Sequence, residues 1–531
     1  MLDYLIKQGL LIDGTGEKSY VADIAIDKGK IAKIGSNLAL EAKEVRNAKG
    51  MVVSPGFIDI HSHSDLCPFV KGLKPQSKLY QGITLEIIGN CGMSNLPVDD
   101  VSRKALTNFI STGLQLPMHG LILEDDSISD YVKHVELYPA ATNVGVLIGH
   151  GTLRGCVVGF GMQKASAAEL KRMKELLDRE LTRGAFGMSL GLIYPPSSYG
   201  DMEEFIELAK VLKKHNAILT VHMRSESTQI FEAVEEMLEV ARQTKVHLEI
   251  SHLKLMGKTQ WGRADELLQK LKAARQKGID VTCDQYPYLA TSTGLSALIP
   301  DWATDGGPQK MCARLVAPDA KLLQEISEEM ERRGGASCIL IVASHGKNTE
   351  FNGMTLDKIA KHMHTTADRA VAKLLVEAAG GVNCCYFCLN KEDMLKIMKE
   401  KFISVGTDGY ALSFDKSFMD SNSHPRSFGT FPRYLQTIRE EKLMSMEDAI
   451  YKITALPANV LGLKDRGLLR EGNAADITIF DHQNVQDMAE YVDSLCKPKG
   501  IRDVFIDGKL ALKDGEQVGA PFGRVILHEN C

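Results

Sequence analysis

The chain has 531 residues, 44% hydrophobic and 25% charged, the composition of a folded globular protein and not of a disordered chain or a coiled-coil rod. Its net charge of −5 gives no electrostatic reason to expect a nucleic-acid partner. No uncharged apolar run is long enough to span a bilayer, the charged start Met1-Leu2-Asp3 lacks an export-signal core, and the eleven cysteines follow no disulfide spacing, so a reduced, cytoplasmic protein away from the membrane is expected.

In chain order, the first fifty residues read as short strands with turns. Tyr4-Leu5-Ile6-Lys7, the alternating Val21–Asp27 and Ile31–Gly35 are the candidates. From Gly56 the rhythm changes. Apolar runs at Phe57–His63, Ile83–Asn90, Val144–His150, Ala185–Leu192, Ile218–His222, Val246–His252, Ile279–Tyr286 and Phe402–Asp408 alternate with amphipathic stretches. Those stretches include Ala168–Arg183, Glu203–His215, Thr228–Gln243 and Ala264–Lys277. Runs that are apolar on both faces suit a parallel sheet covered by helices, and eight of them with helical crossovers predict an α/β fold of the (β/α)8, TIM-like barrel type. The long gap before Phe402 predicts an inserted cap subdomain at 290–345. After Asn459 strands return, at Gly467–Gly472, Ala475–Phe480 and Val504–Gly508. Residues 1–55 and 459–531 are therefore expected to form one small β-sandwich domain, with the barrel of residues 56–458 inserted in it.

His61-Ser62-His63 is the strongest local signal. Residues two apart on a strand share a face, and barrel sites lie at the carboxyl ends of strands. Cys91, His222, His252 and Asp408 end other candidate strands. Six donors of these types at one barrel face predict a metal site, and the mixture of thiolate and imidazole suits zinc. Three protein donors leave room for water, whose proton Asp408 is placed to accept and pass on. The chemistry is hydrolysis of an amide or related bond.

Other features carry less. Gly187-Met188-Ser189-Leu190-Gly191 fits a nucleophile-elbow pattern, but Pro195-Pro196 argues against the helix that pattern needs. Cys384, Cys385 and Cys388 read as buried thiols. His362 and His364 fall in a helical context where side chains two apart diverge, near His345. His150 is placed to support the site or to pack. His424 and Arg426 follow Asp408 closely enough to touch a substrate.

The ordered set of motifs resembles the amidohydrolase superfamily, and within it the D-aminoacylase (N-acyl-D-amino-acid deacylase) family. The matching segments include Pro55–Asp65, Gly89-Asn90-Cys91-Gly92, Gly149–Arg154, Ser189–Pro196, His222-Met223-Arg224, Ser251–Lys254, Tyr286-Pro287-Tyr288, Gly406–Gly409 and His424-Pro425-Arg426, with Gly472–Asp476 like the superfamily's β domain. The resemblance covers nearly the whole chain. It implies a tightly held zinc on Cys91, His222 and His252, with Cys91 standing where many relatives use a carboxylated lysine. It implies a second, weaker metal position bordered by His61, His63 and Asp408, and Asp408 as general acid and base. Lys254, Tyr286 and Ser292 match positions that hold the substrate's α-carboxylate. The implied reaction is hydrolysis of a small-molecule N-acyl-D-amino acid. The alternatives are a cyclic-amide hydrolase of the hydantoinase or dihydroorotase type and a non-catalytic scaffold. Every expected ligand is present, against a scaffold, and the fourth strand offers Ser189 and no lysine, against the cyclic-amide type.

Overall fold

The structure, a computed structural model, describes residues 1–70, 74–113, 125–344, 348–416 and 422–529. Eight parallel strands form the central sheet: β1 (Phe57–Asp59), β2 (Ile83–Ile88), β3 (Asn143–Gly149), β4 (Gly187–Gly191), β5 (Ile218–His222), β6 (His247–Ile250), β7 (Val281–Gln285) and β8 (Ile403–Val405). Each pairs with its neighbour in sequence order, and β7 pairs directly with β8. Beyond the carboxyl ends of β1 and β8 a parallel bridge between Ser62 and Gly409 nearly closes the barrel. The amide of Asp408 donates to the His61 carbonyl at 2.8 Å in the same seam.

The four expected helices cover this sheet as α1 (Ala167–Thr182), α2 (Met202–Lys214), α3 (Ile230–Thr244) and α4 (Ala264–Gln276). Their starts are written locally. Ser166 and Glu169 form a reciprocal capping box, and the Asp201 carboxylate accepts from the Glu204 amide. Their inner faces bury Leu177, Leu208, Leu212, Met237 and Leu271 against the strands in one core.

Strands from both chain ends form a second, nine-stranded sheet. Val52–Pro55 pairs antiparallel with Ile477–Phe480, which joins the two halves immediately before the chain enters β1. Ile6, Ile24, Ile26, Val53, Ile479 and Phe505 pack together between those halves. Gly467–Gly472 is not a strand. Its backbone makes single bonds (Leu469 to the Asp13 carbonyl, Gly472 to the Ile31 carbonyl) and no ladder.

Between β7 and β8 lies a three-stranded antiparallel sheet, Thr291–Gly294, Val382–Tyr386 and Ile339–Ser344, with helices around its own core. It runs well past the 290–345 expected from sequence. The reason is its central strand, Val382–Tyr386, which arrives last and pairs with both of the others. His345 lies outside the described residues.

Candidate active site

Six side chains converge at the carboxyl ends of five strands. His61 and His63 follow β1, Cys91 follows β2, His222 ends β5, His252 follows β6 and Asp408 follows β8. All six are buried. Cys91, His252 and Asp408 have φ of 53°, 38° and 50°, in the left-handed region that costs a non-glycine residue about 1–3 kcal/mol. A strand that simply continued would carry these side chains past the barrel mouth. The turn at each strand end brings them into the cluster.

The Cys91 sulfur lies 3.3 Å from His61 Nε2 and 3.5 Å from His252 Nε2. Asp408 Oδ1 is 2.9 Å from His63 Nε2 and 3.4 Å from His61 Nε2. The donor atoms of His61, His63, Cys91 and Asp408 lie within 4.8 Å of one another, as do those of Cys91, His222 and His252. Cys91 is common to both groups. Neither ring nitrogen of His222 has a hydrogen-bond partner, nor does Nδ1 of His63. Buried imidazole nitrogens without partners are costly, and a cation would satisfy them. The donor set and its spacing fit a divalent ion of zinc's type.

The cluster carries positive charge of its own: despite burial, Asp284 raises His61, Asp408 raises His63 and Glu226 raises His252, charge that a bound cation would replace. Burial alone would raise the Cys91 thiol, but the charge of His61 and His252 beside it holds it well below its ordinary value. Burial holds His222 below its usual value, as the neutral imidazole that coordination requires. Asp408 stays ionised despite burial, because Arg426 and His252 lower it strongly.

Residues the sequence reading did not single out brace the cluster. Asp284 in β7 sits 3.1 Å from His61 Nδ1 and accepts from the His252 amide at 3.0 Å. Glu226 lies 2.9 Å from His252 Nδ1 and accepts from Lys254 at 2.6 Å. Such carboxylates fix which imidazole nitrogen faces a metal. Asp59 in β1 takes bonds from Lys78 at 2.6 Å and from Thr407, tying β1 to β8 beneath the site. Their sequence signal was an acid at or near a strand end.

The expected substrate residues share one cleft with the cluster. Lys254, Tyr286, Ser292 and Arg426 line a cavity of about 280 Å³ together with Cys91 and Asp408. Lys254 is paired with Glu226, and Arg426 Nη1 lies 2.6 Å from Asp408 Oδ2. Arg426 also stacks 5.1 Å from the Tyr286 ring centre, and the Tyr286 hydroxyl has no partner. His424 is turned away. Its Nε2 meets the Ala290 carbonyl and its Nδ1 accepts the Arg426 amide, so it shapes the start of the helix Arg426–Glu441.

The remaining features are structural. Ser189 accepts from the Gly92 amide and donates to the Gly89 carbonyl, bracing the Cys91 turn from β4; no helix follows it directly. His150 is held by Ser197 and Glu204 at 2.8 and 2.7 Å, away from the cluster. Cys384, Cys385 and Cys388 are buried thiols, each raised by burial, and belong to no donor group among the described residues. His362 ends its helix and His364 lies beyond it, and neither joins such a group.

The amidohydrolase family model matches residues 44–298 and 411–511. The chain belongs to the amidohydrolase family. This amidohydrolase is 34% identical to the N-acyl-D-aspartate deacylase of Alcaligenes xylosoxydans xylosoxydans, over 98% of the chain and 93% of that relative. It is 30% identical to the D-aminoacylase of the same organism, over 99% of the chain and 97% of the relative. Its fold superimposes on the crystal structure of the N-acyl-D-glutamate deacylase of Bordetella bronchiseptica with a TM-score of 0.83 at 30% identity, covering 99% of this chain and 100% of that one. That structure holds zinc and a phosphonate inhibitor that mimics the tetrahedral intermediate of the reaction.

Proposed function

We propose that this amidohydrolase hydrolyses the N-acyl amide bond of N-acyl-D-amino acids, releasing a carboxylate and a free D-amino acid. The observation that carries the reading is the pair of donor groups joined through Cys91, set in one cleft with Lys254 and Arg426. Its relatives are named for the same bond in D-aspartate, D-glutamate and other D-amino-acid derivatives.

Cys91, His222 and His252 would hold a tightly bound zinc, and His61, His63 and Asp408 would border a weaker position that shares Cys91. Zinc bound there would supply Lewis acidity for the acyl carbonyl and would acidify water towards neutrality. The protein's own groups do the rest. Lys254 and Arg426 supply charge, and Tyr286 and Ser292 hydroxyls, for the α-carboxylate. Arg426 must then divide its fork between that carboxylate and Asp408. Asp408 takes a proton from the attacking water and returns it to the amine nitrogen as the C–N bond breaks. Glu226 and Asp284 keep His252 and His61 turned toward the metal positions.

A cyclic-amide hydrolase of the carboxylated-lysine type is disfavoured. Ser189 on β4 is spent on two backbone groups, and Cys91 occupies the bridging place. We place the protein in the cytoplasm: the ten described cysteines form no disulfide, and no described helix is long and apolar enough to cross a membrane. The residue ranges 1–55 with 459–531, and 56–458, are proposed as its two folding units.

The test is amine release from N-acetyl-D and N-acetyl-L amino acids in parallel. The zinc-loaded protein is expected to release amine from D compounds only. Asp408→Asn is expected to lower kcat by about 10²–10⁴-fold while the tight zinc stays bound. Release from hydantoins and not from N-acyl compounds would overturn the assignment.

A further inference from the structure

The cleft continues beyond the donor cluster. A second cavity of about 100 Å³ adjoins it and shares Met93, Ile193, Tyr194 and Ser296 with it. Its other walls are mostly apolar. Phe109 and Phe160 have ring centres 5.5 Å apart, and Ile299, Pro308 and Met311 line it beside them. Its described lining holds one carboxylate, Asp301, and no lysine or arginine. An anion entering it would lose water and gain no cation, whereas a hydrocarbon would gain burial.

Its position relative to the chemistry is specific. Met93 stands two residues after Cys91, and the Tyr194 ring lies 5.0 Å from the His222 ring. Lys254, Tyr286 and Arg426 line the cleft but not this cavity. In an N-acyl amino acid the acyl chain leaves the scissile carbonyl on the side away from the α-carboxylate. With the carboxylate at Lys254 and Arg426 and the carbonyl at the donor cluster, Met93 and Tyr194 are on the shared lining through which an acyl chain would enter the second cavity.

We infer that the cavity bounded by Phe109, Phe160, Tyr194, Ile299 and Met311 is an acyl-chain subsite, and that the enzyme takes acyl groups with a hydrocarbon tail longer than acetyl. This rests on the N-acyl amide reading above. It places substrate preference at the apolar end of the molecule, where none of the relatives' names specify it.

The experiment compares kcat/KM for N-acetyl-D-alanine, N-hexanoyl-D-alanine and N-acetyl-D-leucine, in the zinc-loaded protein and in Ala297→Phe. Ala297 lines the second cavity and not the cleft. The hexanoyl compound is expected to exceed the acetyl compound by about tenfold or more, the scale of one or more methylenes in a fitted pocket. Ala297→Phe is expected to erase that advantage, bringing the hexanoyl compound down to the level of the acetyl compound. Equal values for acetyl and hexanoyl would overturn the subsite, as would an advantage that Ala297→Phe leaves intact. A gain confined to the leucine side chain, removed by Ala297→Phe, would overturn the acyl assignment in favour of the side chain. If no compound is hydrolysed, the amide reading fails, and calorimetry with acetate and hexanoate decides the subsite alone. Tighter binding of hexanoate, lost in Ala297→Phe, would uphold an apolar subsite; equal binding would end it.

Discussion

Cys91 bears two demands at once. It is the one donor common to both groups, and its backbone must turn left-handed to bring the thiol there. Its neighbours meet the electrostatic demand by placing His61 and His252 within 3.5 Å of the sulfur. Glu226 acts one bond further out. It is buried and touches both His252 and Lys254, so it links the metal-facing imidazole to the cation of the carboxylate cradle. Glu226→Gln is expected to weaken zinc binding about 10–100-fold, the usual effect of losing an outer-shell carboxylate. Competition against a chelator of known affinity measures it. Unchanged affinity would mean that Glu226 does not orient His252.

Among the elements, β4 is the brace of the site although it contributes no donor. A Cβ at Gly191 would stand 1.9 Å from the Cys91 carbonyl oxygen, a backbone atom that cannot rotate aside. Gly191→Ala is therefore expected to lower stability by about 1–3 kcal/mol and to reduce zinc content, read from a thermal melt and metal analysis. A variant with normal melting and full zinc would contradict this. A second element-level feature lies away from the site, on the helix Met446–Ile453. Lys452 is buried there with its amine on the Met398 carbonyl. Burial pushes it from 10.5 down to about 7, with Glu400 and Asp448 opposing only in part. Between those two values the unfolded chain binds more protons than the folded one, so this group makes stability rise with pH through the window. Lys452→Met is expected to remove that slope and to be more stable than the parent at pH 7. Denaturant melts at pH 7 and 9 test it, and parallel profiles for the two proteins would refute it. The eight barrel strands and four helices were legible because each carries its own periodicity or cap. The six donors were legible because each sits at a strand end. Glu226 and Asp284 were not, because an acid near a strand end is common and only the fold brings it to an imidazole. The cap's extent was hidden for a related reason: Val382–Tyr386 reads as an ordinary apolar run until its two partners, Thr291–Gly294 and Ile339–Ser344, are known.

At the scale of the molecule, three sheets divide the work. The barrel gathers donors from five strands, so the metal centre exists only when the whole barrel is formed. The nine-stranded sheet joins the two chain ends at the entry to β1. The three-stranded sheet and its helices supply Ser292, Ser296 and Arg333 to the cleft and Ile299 and Met311 to the adjoining cavity. The donor cluster thus comes from the barrel, while the inserted subdomain supplies part of the cleft and of the adjoining cavity. The most direct check on this division is to strip the protein with a chelator, return zinc stepwise, and follow amine release from an N-acyl-D-amino acid. Activity is expected to be absent in the stripped protein and to climb to its maximum near the first equivalent, since the position at Cys91, His222 and His252 is the one proposed to bind zinc tightly. Equal activity with and without zinc would contradict the proposed metal centre, and zinc-loaded protein that releases amine from no N-acyl compound would contradict the reaction assigned to it.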